Sequence, residues 1–247
     1  MLMITIRVIN PNTTASMTDT IRQAAQAVAG PDTRIVATNP SMGPVSIESH
    51  YDEALASVGV LDEVRQGEQE GTDGYVLACF GDPGLHAAQE LASGSVVGIA
   101  QAAFHAASLL GRSFAIVTTL SRTLGRARDL VLEYGFERQC VAYRACEVPV
   151  LGLDSDPDGA YRALLAECES TIKDCDPDVI VLGCAGMAGM CKRLCNTLHR
   201  PVIDGVAAGV TLVEGLVRMG VGTAKCGEFA ETPAKTITGL LAPFTRE

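Results

Sequence analysis

"VIVLGCAGMAG" (residues 179–189) decides the fold, because it joins a buried strand, a cysteine at the strand's end and a small-residue helix start. Almost the same phrase stands earlier as "GYVLACFGDPG" (residues 74–84), so Cys79 and Cys184 occupy matching places 105 residues apart. At the same offset the stretch from Val97 meets the stretch from Val202, and "VINPNTT" from Val8 aligns with "IVTTLSR" from Ile116 at an offset of 108. Three matches in the same order read as two copies of one βα architecture.

Around these anchors, short Val- and Ile-rich runs alternate with stretches of helical period. Strands are predicted at 4–9, 33–38, 74–79, 95–99, 113–118, 141–146, 178–183 and 201–204. Helices are predicted at 13–28, 48–69, 83–92, 101–110, 122–134, 157–174, 187–198 and 206–219. Continuously apolar strands separated by helices belong to parallel sheets covered on both faces. The predicted class is α/β, with two pseudo-symmetric lobes, each a parallel sheet flanked by helices. Open α/β sheets bind ligands beyond the carboxyl ends of their strands. Two facing lobes therefore bring Cys79 and Cys184 to one crevice from opposite sides.

The chain of 247 residues accommodates one large domain or two of ordinary size. Its 19 Lys+Arg against 29 Asp+Glu leave a net charge of -10, which disfavours a broad phosphate-binding surface, so nucleic acid is not an expected partner. No run approaches the roughly 18 apolar residues of a membrane span, and "MLMITIRVIN" lacks a basic segment ahead of an apolar run. A cytoplasmic protein with no membrane partner is the expectation. Nine cysteines at irregular spacing argue against a disulfide framework. Cys140, Cys146, Cys168, Cys175, Cys191, Cys195 and Cys226 read as small buried hydrophobes. His50, His86, His105 and His199 form no ligand motif such as HExxH, so a metal is not expected.

Two opposed thiols can invert a carbon acid: one, ionised, removes a proton from one face while the other, protonated, delivers one to the opposite face. Cysteine suits both roles because its reference pKa of about 8.5 keeps both forms reachable. Each thiol stands near a predicted helix start, whose N–H groups are expected to lower its pKa and to stabilise an enolate oxygen. Gly81 after Phe80 and Gly186 after Ala185 permit close backbone approach to a substrate. Asn10, Asn12 and Thr13 follow the first strand, Pro11 rigidifies that turn, and Thr118 and Thr119 hold the equivalent place in the second copy. Plainer roles stand beside these, with Thr13 or Thr14 a helix N-cap and Thr118 a strand terminus. The loop "NPSMGPVSIESHY" (residues 39–51) lies on the same edge and either covers the site or merely connects. In it, Glu48 and His50 either orient a ligand or serve as a helix-start carboxylate and a solvent-facing imidazole.

With "INPNTT" (9–14), "ACFGDPGL" (78–85) and "GCAGM" (183–187) in place, nearly the whole chain resembles the hydantoin racemase group of the aspartate/glutamate racemase superfamily. The resemblance implies cofactor-independent racemisation by the pair Cys79 and Cys184. It also implies substrate contacts from Asn10, Phe80, Gly81, Thr118, Thr119, Ala185 and Gly186, and assembly into a homo-oligomer. By the same resemblance, residues 1–97 plus 208–247 form the first lobe and 98–207 the second, with "FAETPAKTITGLLAPF" (229–244) a final helix returning to the first lobe. Within the group the chain looks most like allantoin racemases, so the implied small-molecule substrate is allantoin, a product of purine breakdown, or a related hydantoin. A small polar ring suits the short polar side chains named above. With 4% aromatic residues and no Trp, little stacking surface is available to aryl substituents, although Phe80 and Tyr51 remain possible contacts. The alternatives are a racemase of other 5-substituted hydantoins or of an amino acid, and a two-lobed binding module without chemistry.

Overall fold

Alternation of β-branched strands with amphipathic helices folds residues 3–245, those the computed structural model describes, around two separate parallel sheets. The first sheet contains β1 (Ile4–Ile9), β2 (Thr33–Thr38), β3 (Gly74–Leu77) and β4 (Ser95–Gly98) in the order β2-β1-β3-β4. The second contains β5 (Phe114–Thr118), β6 (Cys140–Ala145), β7 (Val179–Leu182) and β8 (Val202–Ile203) in the order β6-β5-β7-β8. Both sheets thus place the first and third of their strands at the centre, where β1, β3, β5 and β7 are buried throughout. The connecting helices are α1 (Ala15–Val28), α2 (His50–Gln69), α3 (Leu85–Leu91), α4 (Ile99–Leu110), α5 (Leu124–Glu133), α6 (Gly152–Ser155), α7 (Pro157–Cys175), α8 (Cys191–Leu198) and α9 (Gly205–Arg218). The α/β class and the repeated architecture hold.

Register carries the repeat to the level of single residues. Ile9 pairs with Leu77 at the carboxyl end of the first sheet, and Val117 pairs with Leu182 at that of the second. Asn10 therefore emerges beside Ala78 and Cys79, and Thr118 beside Gly183 and Cys184. Strands β3 and β7 end short of the predicted bounds, because the chain leaves the ladder one or two residues early to make the turns that carry the thiols.

After completing the second sheet the chain returns to the first through α9, which packs on α1, α4, β3 and β4. Asp204 caps this helix by accepting from the Val206 and Ala207 N–H groups at 2.9 and 3.1 Å, the arrangement that ties up otherwise unpaired helix-start donors. Helix α4 lies beside α9 and touches β4 of one lobe and β7 of the other. The contact is close: a Cβ on Gly205 would stand 2.6 Å from the Ile99 carbonyl oxygen of α4, and against the sheet one on Gly209 would stand 2.8 Å from Val76 Cγ1 of β3.

Two expectations need correction. Residues 229–244 form no α-helix; 3₁₀ turns at Gly227–Phe229 and Gly239–Phe244 interrupt an irregular, exposed course. Pro233 and Pro243 lack the N–H a helix needs, and Thr232, Thr236, Ile237 and Thr238 are β-branched, so helical period alone misled. The segment nonetheless lies on the first lobe, where Lys225 Nζ donates to the carbonyls of Gln89 and Glu90 and Thr232 donates to the Glu90 carboxylate. Among the cysteines read as buried, Cys175 and Cys226 are exposed, at a helix end and in this tail. The sequence bounds of the first lobe also include residues 1–2 and 246–247, which lie outside the described residues. Among the described residues no helix is long and apolar enough to cross a membrane, and no three His, Cys, Asp or Glu side chains are grouped to hold a metal ion.

Gly205→Ala has to displace main chain rather than a flexible side-chain tip. The expected result is a loss of about 1–3 kcal/mol in urea denaturation, with the α4/α9 seam loosened; unchanged stability would show that the seam yields freely.

Candidate active site

The two carboxyl edges face each other across a crevice whose empty volume, including its opening to solvent, is about 610 Å³. Cys79, Cys184, Asn10, Phe80, Gly81, Thr118, Thr119 and Ala185 all line it; Gly186 does not. Both cysteine side chains are half-buried there. Their settings differ despite the shared sequence phrase. Cys184 is the N-cap of a 3₁₀ turn, Ala185–Met190, that runs into α8. Cys79 instead opens a tight turn in which the Asp82 N–H donates to the Cys79 carbonyl, and α3 begins only at Leu85, past Gly84 at φ 71°.

What holds these turns in place is the residue after each cysteine. Phe80 of the first lobe enters the apolar cluster of the second, edge-on to Phe104 at 5.7 Å between ring centres, with Phe104 stacked on Phe114. Ala185 of the second lobe is buried in the apolar cluster of the first, with Val8, Met17 and Val206. Each thiol is thus carried by one lobe and anchored in the other. Around Cys79 the anchoring continues through polar groups: Arg126 of α5 donates from Nε and Nη2 to the Gly81 carbonyl at 3.0 and 2.8 Å. The buried Asp82 carboxylate accepts from the Ala100 and Gln101 N–H groups at the start of α4 and from the Tyr134 hydroxyl at 2.9 Å. Burial pushes Asp82 up to about 7, against the pull of those donors.

The expected lowering of the thiol pKa values does not occur. Burial dominates and pushes Cys184 up to about 11 and Cys79 further still, while the main-chain N–H groups of Gly186 and Gly81 act in the opposite direction. The negative charge of Cys184, Glu53 and Asp82 adds to the rise at Cys79, and that of Cys146, Asp154 and Glu48 to the rise at Cys184. Desolvation of a thiolate outweighs a short helix start, and at Cys79 no helix start is adjacent. Side-chain tips also stand close over both glycines. The space a Gly81 Cβ would occupy is filled by a carboxylate oxygen of Glu53, and at Gly186 by Leu153 Cδ1 at 2.8 Å.

The remaining sequence candidates divide by how much of their hydrogen-bonding capacity is spent. Asn10 Nδ2 donates to Asn12 Oδ1 at 2.9 Å, to the Thr18 hydroxyl at 3.0 Å and to the Thr14 carbonyl, so this side chain braces the turn. Thr118 donates to the Gly183 carbonyl at 2.9 Å and ties the two central strands. The Thr119 hydroxyl makes no hydrogen bond among the described residues and is left to the crevice. The loop before α2 is fastened on both sides: Thr13 N–H to Pro44, the Thr14 hydroxyl to Val45, and Glu48, which accepts from the Val150 N–H of the other lobe at 2.8 Å. Ile47 from this loop lines the crevice, whereas His50 and Tyr51 are exposed.

Glu53 and Arg126 line the crevice and were not singled out from sequence. In the chain they are ordinary charged residues of amphipathic helices, and only the packing of α2 and α5 turns them inward.

The pattern of the Asp/Glu/Hydantoin racemase family matches residues 6–213. A hydantoin racemase of Rhizobium meliloti is 47% identical over 234 residues, 95% of this chain and 97% of that protein. The solved structure of an allantoin racemase from Klebsiella pneumoniae superposes with a TM-score of 0.96 at 47% identity, covering 98% of this chain and 99% of that one. An allantoin racemase from Pseudomonas fluorescens gives 0.92 at 38% identity, with 96% and 100% covered. The chain belongs to the Asp/Glu/Hydantoin racemase family. It is a racemase, and a binding module without chemistry is set aside.

The raised thiol pKa values have a direct consequence in the free enzyme. With a pKa near 11, roughly a thousandth of Cys184 is thiolate at pH 8. Iodoacetamide labelling of Cys184, followed by peptide mass spectrometry, is expected to accelerate about tenfold per pH unit from 8 to beyond 10. A plateau near pH 8.5 would show that burial does not control this thiol.

Proposed function

We propose that the protein inverts C5 of a hydantoin ring, with allantoin its substrate, by a two-base mechanism in which Cys79 and Cys184 act on opposite faces of the reacting carbon. The observation that carries the reading is the pair of thiols lining one crevice from two different sheets, each held by burial of the next residue in the opposite lobe. C5 is acidic because its carbanion is delocalised into the neighbouring ring carbonyl. One thiolate removes the C5 proton while the other thiol supplies a proton to the opposite face, so the carbon is inverted and the protonation states of the pair are exchanged. The reverse reaction starts from the exchanged pair.

High thiol pKa values fit this task. A thiolate formed at a raised pKa is a stronger base towards a carbon acid, and the cost is a small ionised population. The N–H groups of Gly81 and Gly186, each two residues after its cysteine, favour the thiolate on either side, so each thiol has a donor that assists its ionisation. The Thr119 hydroxyl offers hydrogen bonds to the ring's amide groups. Phe80 and Ala185 limit the crevice beside each thiol, and Asn10, Thr118 and Gly186 support the walls. Sequence identity to hydantoin racemases and structural similarity to allantoin racemases both favour a 5-substituted hydantoin over an amino acid.

Circular dichroism of enantiopure allantoin is the test. With the protein the signal is expected to decay to zero at constant allantoin concentration, well ahead of the spontaneous rate. Cys79→Ser and Cys184→Ser are each expected to lower the rate at least about a thousandfold with the fold intact. Near-normal turnover by either variant would refute the two-base mechanism.

A further inference from the structure

Resting on that reading of the crevice, we propose that Glu53 selects the substituent on the reacting carbon, and that it selects a neutral group with adjacent N–H donors, a ureido group, over alkyl or aryl groups. Glu53 comes from the first turn of α2 in the first lobe and forms part of the crevice wall next to the Cys79 turn, with a carboxylate oxygen over the α-carbon of Gly81. Its side chain is only 21% exposed. A carboxylate has about four acceptor positions. The cations beside this one, His50 Nδ1 at 3.6 Å and Arg126 Nε at 3.8 Å, stand at ion-pair distances and fill at most one of these positions, through a long contact from His50. Arg126 has already committed Nε and Nη2 to the Gly81 carbonyl. His50 is itself 79% exposed. Glu53 therefore carries unspent acceptors in a partly dehydrated wall, and burial already penalises its charged form.

A ureido group presents two N–H bonds side by side, the spacing of the two carboxylate oxygens, so it can satisfy both at once in the manner of a bidentate pair. An alkyl or aryl substituent in the same place removes the remaining water from the carboxylate and returns no hydrogen bond, which costs binding. A carboxylate substituent would be repelled. Arg126 is the fixed part of this corner: it joins α5 of the second lobe to the Cys79 turn of the first and balances the Glu53 charge. The unspent carboxylate thus discriminates between hydantoins that share the same ring and the same reacting C–H bond.

The experiment compares wild type, Glu53→Gln and Glu53→Leu on enantiopure allantoin and enantiopure 5-methylhydantoin by polarimetry, with far-UV circular dichroism to confirm folding. Glu53→Gln is expected to lower the ratio of kcat/KM for allantoin to that for 5-methylhydantoin about 10- to 100-fold, the loss of charge beside Cys79 acting on both substrates alike and cancelling in the ratio. Glu53→Leu shifts the ratio further towards 5-methylhydantoin. Equal losses on both substrates, or no loss on either, would overturn the proposal while leaving the racemase reading intact. Wild-type protein that inverts 5-methylhydantoin but not allantoin would overturn it too, whereas inversion of neither compound removes the hydantoin reading on which it rests.

Discussion

Reciprocal burial across the crevice is the constraint on which the rest depends. Phe80 leaves the first lobe to pack with Phe104 beside the second sheet, and Ala185 leaves the second to pack in the core of the first. Close-packed interiors do not deform continuously, so the position of each thiol is set by the opposite lobe as firmly as by its own strand. The returning helix α9 and its neighbour α4 reinforce this from behind, and the bond from Val150 to Glu48 reinforces it from the loop side. A racemase of the proposed kind needs that rigidity, because a small displacement of either proton donor or acceptor changes the rate of transfer strongly.

The polar surroundings divide between the two thiols in an orderly way. Carboxylates stand near both, Glu53 and Asp82 for Cys79 and Asp154 and Glu48 for Cys184, and together with burial they hold the pair in the protonated form. Arg126 is the cation that lines the crevice, and two of its donors hold the Gly81 carbonyl. Ionisation is therefore resisted at both positions and assisted at both by the N–H of a glycine two residues on. That near-symmetry suits a reaction whose two directions are chemically equivalent, although the larger rise at Cys79 and its lack of an adjacent helix make the halves unequal.

Strands, helices and the two-lobed repeat were legible because their signals are local: continuous apolar runs, helical period and a repeated phrase around each cysteine. The meeting of Cys79 and Cys184 followed from the topology of parallel sheets. What each neighbouring residue does was not legible, since it depends on partners far away in the chain. Nothing in the sequence signals that Phe80, which lines the crevice, also packs its ring against Phe104, or that Glu53 stands above Gly81. The direction of the thiol shifts was missed for a related reason: helix starts are visible in sequence, whereas the burial that outweighs them arises only when the lobes close. The tail failed the other way, its helical period overruled by two prolines and a run of β-branched residues.

The most direct test of the proposed two-base chemistry is deuterium incorporation at C5 during the first few per cent of reaction in D2O, starting from one enantiomer of allantoin. Opposed thiols predict that the inverted product carries solvent deuterium while the unreacted enantiomer keeps its proton, from either starting enantiomer. Product that retains the original proton, or deuterium entering the remaining substrate as fast as the product forms, would contradict two bases on opposite faces.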